Sequence, residues 1–241
     1  MRALHSQKLI EEKNAFINEL YSSIPTKENI IEGELNQKAR RLHEVLFPIY
    51  IMKHYNGNIF ESEYFDMIIS NLVEAESALI LGLTNAGISS LRGALESSFK
   101  FLYYEYHPVE NRLHNEGKHS LSSLDYREFF YNFPGLSNIS FSSRSIVEGL
   151  WSYLCRYVHC DFRVLKEISL VSDISSVLLY EEKDFKQVLD VIKLIVKLIV
   201  SIFFCVDSFW IQNVEKAYFD ATLEAFSTAE RQEILQELRV A

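Results

Sequence analysis

The run from Val191 to Trp210 constrains the fold more than any other part of the chain. It is a long apolar stretch broken by Lys193, Lys197, Ser201 and Asp207. A membrane-spanning helix needs about 20 largely uncharged residues, and the charges argue against one here. Asp190, Lys193, Lys197 and Ser201 instead recur at steps of three and four, which aligns them as one polar stripe on a helix over 183–215. A single stripe on an otherwise apolar cylinder marks a helix at the centre of a bundle or at a subunit interface.

The rest of the chain repeats the helical period. Apolar positions step along 3–21, 28–55, 62–82, from about 85 or 88 to 106, 144–161 and 217–239. Ser62 is placed to cap the third of these, Ser142 or Ser143 the 144–161 helix, and Ser227-Thr-Ala-Glu230 matches a capping box. Pro48 is expected to bend or split its helix, and Pro108 to end the one before it. Residues 108–141 look like an insertion with one short helix and a small aromatic cluster, and 164–181 read as helix or as turn and extended chain. With only 8 Gly and 4 Pro in 241 residues, long loops are few. The expected fold is an all-α helical bundle forming a single domain. It has an N-terminal helical extension over 1–60, a core over 62–210 interrupted at 108–141, and a C-terminal helix over 215–241.

Charge and cysteine usage narrow the function classes. A formal net charge of -9 excludes a general nucleic-acid coat protein, so a polyanionic substrate must meet a local basic patch or a basic partner. Cys155, Cys160 and Cys205 are odd in number and lack metal-ligand spacing, which reads as reduced core cysteines in a cytoplasmic protein. No apolar run follows the first residues, so no signal peptide is expected. Phosphate-binding glycine loops, dinucleotide fingerprints, His-Glu-x-x-His and di-iron carboxylate sets are absent from the sequence, and no metal or other cofactor is expected.

Chemistry concentrates on the 144–161 helix. Glu148, Ser152, Arg156 and His159 follow at steps of four, four and three, sharing one face, and Asp161 and Arg163 extend its polar end. Imidazole is an acid or base near neutrality, and a guanidinium clamps phosphate oxygens. With RNA, the ribose 2′-hydroxyl supplies the nucleophile, no metal is needed, and the product is a cyclic phosphate. The same row reads also as a buried hydrogen-bonded knot holding the helix in place, which local spacing alone favours. A second pair, Arg92 and Glu96, is either an ordinary i,i+4 ion pair or a positioning device in which Glu96 orients Arg156 or His159 across the bundle. Arg112, His114, Lys118 and His119 form the most basic local patch, readable as a phosphate site or as a solvated loop.

Two strings carry a family likeness. Leu91-Arg92-Gly-Ala-Leu-Glu96, followed later by Leu154-Cys-Arg156-Tyr-Val-His159 within Tyr153–His159, resembles the HEPN superfamily, in particular its members from bacterial defence and abortive-infection loci. The resemblance covers roughly 62–210. It implies a helical bundle that is commonly a homodimer, and a metal-independent endoribonuclease of a defence or toxin-type system. The family signature is an Arg, four to six residues, then His, with two copies meeting across a dimer interface. Here Arg156 and His159 have two residues between them; Arg112 and His119 have six between them but lie in the insertion. The alternative expectation is a non-catalytic interaction or sensor module that docks onto a partner, such as a co-encoded protein. No membrane association is expected in either case.

Overall fold

The computed structural model describes residues 35–55, 62–159, 182–207 and 214–237. Among these the regular structure is helical, with no strand, and comprises ten α-helices. They are α1 (Leu35–Tyr55), α2 (Glu63–Ile80), α3 (Thr84–Tyr106), α4 (Pro108–Asn115), α5 (Ser123–Asn132), α6 (Pro134–Ser137), α7 (Arg144–Val158), α8 (Glu182–Val206), α9 (Lys216–Leu223) and α10 (Thr228–Glu237), with a 3-10 turn at Ser140–Ser142. No helix among the described residues is long and apolar enough to cross a membrane.

The bundle is built around α3. It pairs with α2 along its length and also meets α5, α7 and α8. The α2–α3 hairpin is tight because α2 ends in a Schellman motif. Gly82 takes φ +77°, the Leu83 N–H reaches the Ala78 carbonyl at 2.8 Å, and the Gly82 N–H reaches that of Leu79 at 3.1 Å. The connection is short, since α3 begins at Thr84, ahead of the 85 or 88 expected from sequence, and takes Gly87 into its first turns. A Cβ on Gly87 would stand 2.6 Å from Leu79 Cγ, so the missing side chain lets the two helices close.

The long helix α8 lies against α1 and α3. Ile192, Ile195, Val196, Leu198, Val200, Ile202 and Phe203 are fully buried. Phe203 meets Phe65 at 5.5 Å, and Phe65 meets Phe101 at 5.9 Å, tying α8, α2 and α3 at the core. The polar stripe is met inside the chain. Lys197 Nζ donates to both oxygens of Glu230 at 2.7 and 2.9 Å, Lys193 pairs with Asp190, and the Ser201 hydroxyl donates to the Lys197 carbonyl. The stripe is thus where α10 fastens to the bundle, which makes α8 a central helix.

Three expectations need adjustment. The 108–141 segment holds α4, α5, α6 and the 3-10 turn rather than one short helix. Pro108 and Pro134 sit at the first positions of helices, where a missing N–H costs nothing, and Ser122 with Asp125 forms a capping box on α5. The C-terminal helix is two helices, α9 and α10. Ser62 and Ser143 occupy N-cap positions without a side-chain cap bond, while Ser142 donates to the Leu136 and Ile139 carbonyls instead. Of the N-terminal extension, α1 buries Leu42, Leu46, Ile49 and Met52 completely in the common core, with Pro48 inside the helix. The reading of 164–181 lies outside the described residues.

Candidate functional site

Helix α7 presents three different flanks, because each residue turns the side chain by about 100°. Val147, Leu150 and Leu154 are buried against the bundle. Glu148 and Trp151 turn toward α3 and α5. Ser152, Arg156 and His159 face solvent and are exposed.

Arg156 occupies the last turn of α7, where a cation complements the helix dipole. Its guanidinium lies 5.8 Å from the centre of the Tyr153 ring. No carboxylate among the described residues pairs with it. His159 is the C-cap, and its backbone N–H bonds to the Cys155 carbonyl at 3.0 Å. Its ring makes no bond among the described residues. Neighbours at this i,i+3 spacing stand about 5–6 Å apart at Cβ. The two groups are therefore adjacent and open to solvent, not tied in an internal knot. Beside them α7 and α8 border an open groove of about 490 Å³, lined by Leu150, Tyr153, Lys186, Gln187, Asp190, Val191 and Leu194.

The other two expected members of the row behave differently. Ser152 is exposed alongside Arg156. Glu148 is turned out of the row and accepts from Arg127 Nε at 3.2 Å and from the Tyr131 hydroxyl at 2.8 Å. Burial and this carboxylate both raise the Tyr131 pKa, so its hydroxyl stays a donor. Glu96 does not reach α7's polar face either. It takes Lys100 at 3.1 Å, Arg92 at 3.5 Å and the Ser123 hydroxyl at 3.3 Å. The proposed orienting role of Glu96 toward Arg156 or His159 is therefore not what its partners show. The reason is geometric: Glu96 points at the α5 cap, a segment read from sequence as irregular.

The basic patch in the insertion does not converge. Lys118 pairs with Glu116 at 2.7 Å, and His114 Nδ1 donates to the His119 carbonyl at 3.0 Å. His119 Nε2 is buried without a hydrogen-bond partner, and Arg112 is exposed. These histidines close the turn after α4. Asp161 and Arg163 lie outside the described residues.

Two clusters escaped the sequence reading. Arg127, in the aromatic run taken for packing, is nearly buried and stacks on Trp151 at 4.5 Å, where Arg92 also stacks at 4.8 Å. Between α1 and α2, Glu76 accepts from His43 Nδ1 at 2.9 Å and from the Tyr50 hydroxyl at 2.7 Å. An Arg among aromatics is a usable signal for the first cluster. The second joins residues 26 and 33 positions apart, which no local pattern reveals. Among the described residues no three His, Cys, Asp or Glu side chains gather as metal ligands.

Comparison of the chain with family models, curated proteins and solved structures yields no match.

Proposed function

We propose that this protein is a metal-independent endoribonuclease of the HEPN type, acting as a homodimer in a bacterial defence or toxin-type system. The observation that carries the reading is that Arg156 and His159 are exposed on one helical turn, with no carboxylate among the described residues paired to either. In an acidic chain an exposed arginine without a carboxylate keeps its fork available for phosphate. The family likeness of the Arg92–Glu96 and Tyr153–His159 strings supplies the rest.

The chemistry follows from those two groups. His159 takes the proton of the ribose 2′-hydroxyl as that oxygen attacks phosphorus. Arg156 neutralises the charge growing on the non-bridging oxygens. The bond to the 5′-oxygen breaks, and that oxygen leaves with a proton from the equivalent imidazole of a second copy. The products are a 2′,3′-cyclic phosphate and a 5′-hydroxyl. Purified wild type is expected to cleave RNA in excess chelator, and His159→Ala and Arg156→Ala are each expected to abolish cleavage with an unchanged melting curve. Dimeric wild type that leaves transfer and messenger RNA intact contradicts the reading.

A non-catalytic docking module is the second reading. It is favoured by the net charge of -9 and by an exposed apolar side chain on α7, Ile146 at 40% exposure. Co-purification of a stoichiometric protein partner, with biological function surviving His159→Ala, supports it over the first.

A further inference from the structure

Helices α3, α5 and α7 meet in a charged seam that the cleavage chemistry does not use. Arg92, Lys100 and Arg127 supply three cations to it, and Glu96 and Glu148 two carboxylates. These five groups carry one positive charge in excess, with the Arg144–Glu128 pair and Asp125 at the α5 cap on the same helices besides, in a chain with 33 acidic and 24 basic residues. Like charges held close in a partly desolvated place cost energy unless an anion offsets them.

The excess falls on Arg92. Arg127 is closed: its Nε bonds to Glu148 at 3.2 Å, its Nη1 donates to the Ser123 carbonyl at 3.1 Å, and its side chain is 9% exposed. Arg92 shares the same indole, Trp151, but its one ion pair among the described residues is long, 3.5 Å to a Glu96 carboxylate already engaged by Lys100 and Ser123. Its Nε is buried with no hydrogen-bond partner. Its side chain keeps 23% exposure, with the guanidinium carbon 4.8 Å from the centre of the Trp151 ring. An unsatisfied buried donor of this kind calls for an acceptor, and the described residues provide none.

We propose that the α3–α5–α7 seam is an anion-binding site, in which Arg92, lying over Trp151, takes a pair of phosphate oxygens. The planar fork matches two oxygens of one phosphate, and the indole fixes its plane before the ligand arrives. Phosphate chemistry is the shared feature; the source is either a free phosphate group or the backbone of an RNA strand. Trp151 immediately precedes Ser152 on α7, so the seam flanks the Arg156 and His159 face. The site stands apart from the cleavage reading and does not require it.

The test uses the full chain with two probes, inorganic phosphate and a short single-stranded RNA fully 2′-O-methylated so that it is not cleaved. Both are titrated at constant ionic strength against chloride. The Arg92 Nε–Hε resonance of unaltered protein is expected to shift with phosphate, and Arg92→Lys to weaken binding about tenfold, the loss of one charge-assisted bond. Arg112→Ala, on α4, is expected to leave binding unchanged. Binding of both probes identifies the RNA backbone as the source, and binding of phosphate alone a free phosphate group; either supports the site. An unmoved Arg92 resonance overturns it, as does RNA binding that Arg92→Lys leaves intact. Because the RNA probe has no free 2′-hydroxyl, failure here is distinguishable from failure of the nuclease reading.

Discussion

Arg156 and His159 hold their positions without partners that a substitution would orphan. Both are exposed, and no described carboxylate depends on either. Arg156→Ala and His159→Ala are therefore expected to change stability by less than about 0.5 kcal/mol in urea titrations. Cys205 offers a contrasting residue-scale check. Burial first, and Glu237 second, push its thiol up to about 12, so it stays protonated at neutral pH. Mass spectrometry after alkylation of native protein at neutral pH should find Cys205 unmodified; rapid modification there would contradict its burial. At this scale the sequence was informative for some partners close in the chain, though the expected caps at Ser62 and Ser143 make no side-chain bond. The Ser227–Glu230 box forms as its spacing requires, with the Ser227 N–H to Glu230 at 2.8 Å. It was silent where they are remote: Lys100 stands one helical turn from Glu96 and is legible as an i,i+4 partner, but Ser123, 27 positions on, joining Glu96 at the α5 cap is not.

Helix boundaries followed the hydrophobic period closely for α2, α3 and α7, since a long amphipathic repeat leaves little choice of face. The insertion was misjudged because its composition, rich in Ser, Asn and Pro, was weighed above its start signals. Those signals have measurable consequences. Ser122→Ala removes the α5 cap and should cost about 1 kcal/mol in chemical denaturation. The α8–α10 junction is pH-sensitive. Burial raises the Glu230 pKa, but hydrogen bonds from Lys197 and Ser227 outweigh it, leaving the carboxyl below its ordinary range. A depressed folded pKa stabilises the fold above the unfolded value of about 4.3, and that contribution disappears as pH falls through the folded value. Wild type should therefore exceed Glu230→Gln in stability by a constant margin near neutrality, and the margin should shrink below about pH 4. A margin that persists in acid would show that the Lys197 clasp is not ionic.

For the molecule as a whole, the all-α class was legible from scarce Gly and Pro and a uniform helical period. The convergence of α2, α3 and α8 on Phe65, Phe101 and Phe203 was not, because ring contacts depend on how the helices cross. Phe203→Ala at that centre should cost about 3–5 kcal/mol, a large share of the roughly 5–15 kcal/mol available to a domain. The net charge of -9 bears on the proposed activity: a polyanion meeting an acidic particle needs local cations to receive it, which is the part the proposals give to Arg156 and to Arg92. The most direct measurement is the chemistry of the cut ends. RNA incubated in chelator with wild type, Arg156→Ala and His159→Ala is analysed for its termini by mass spectrometry. Wild type alone is expected to yield 2′,3′-cyclic phosphates and 5′-hydroxyls. Intact RNA with dimeric wild type, or the same termini from His159→Ala, would contradict it.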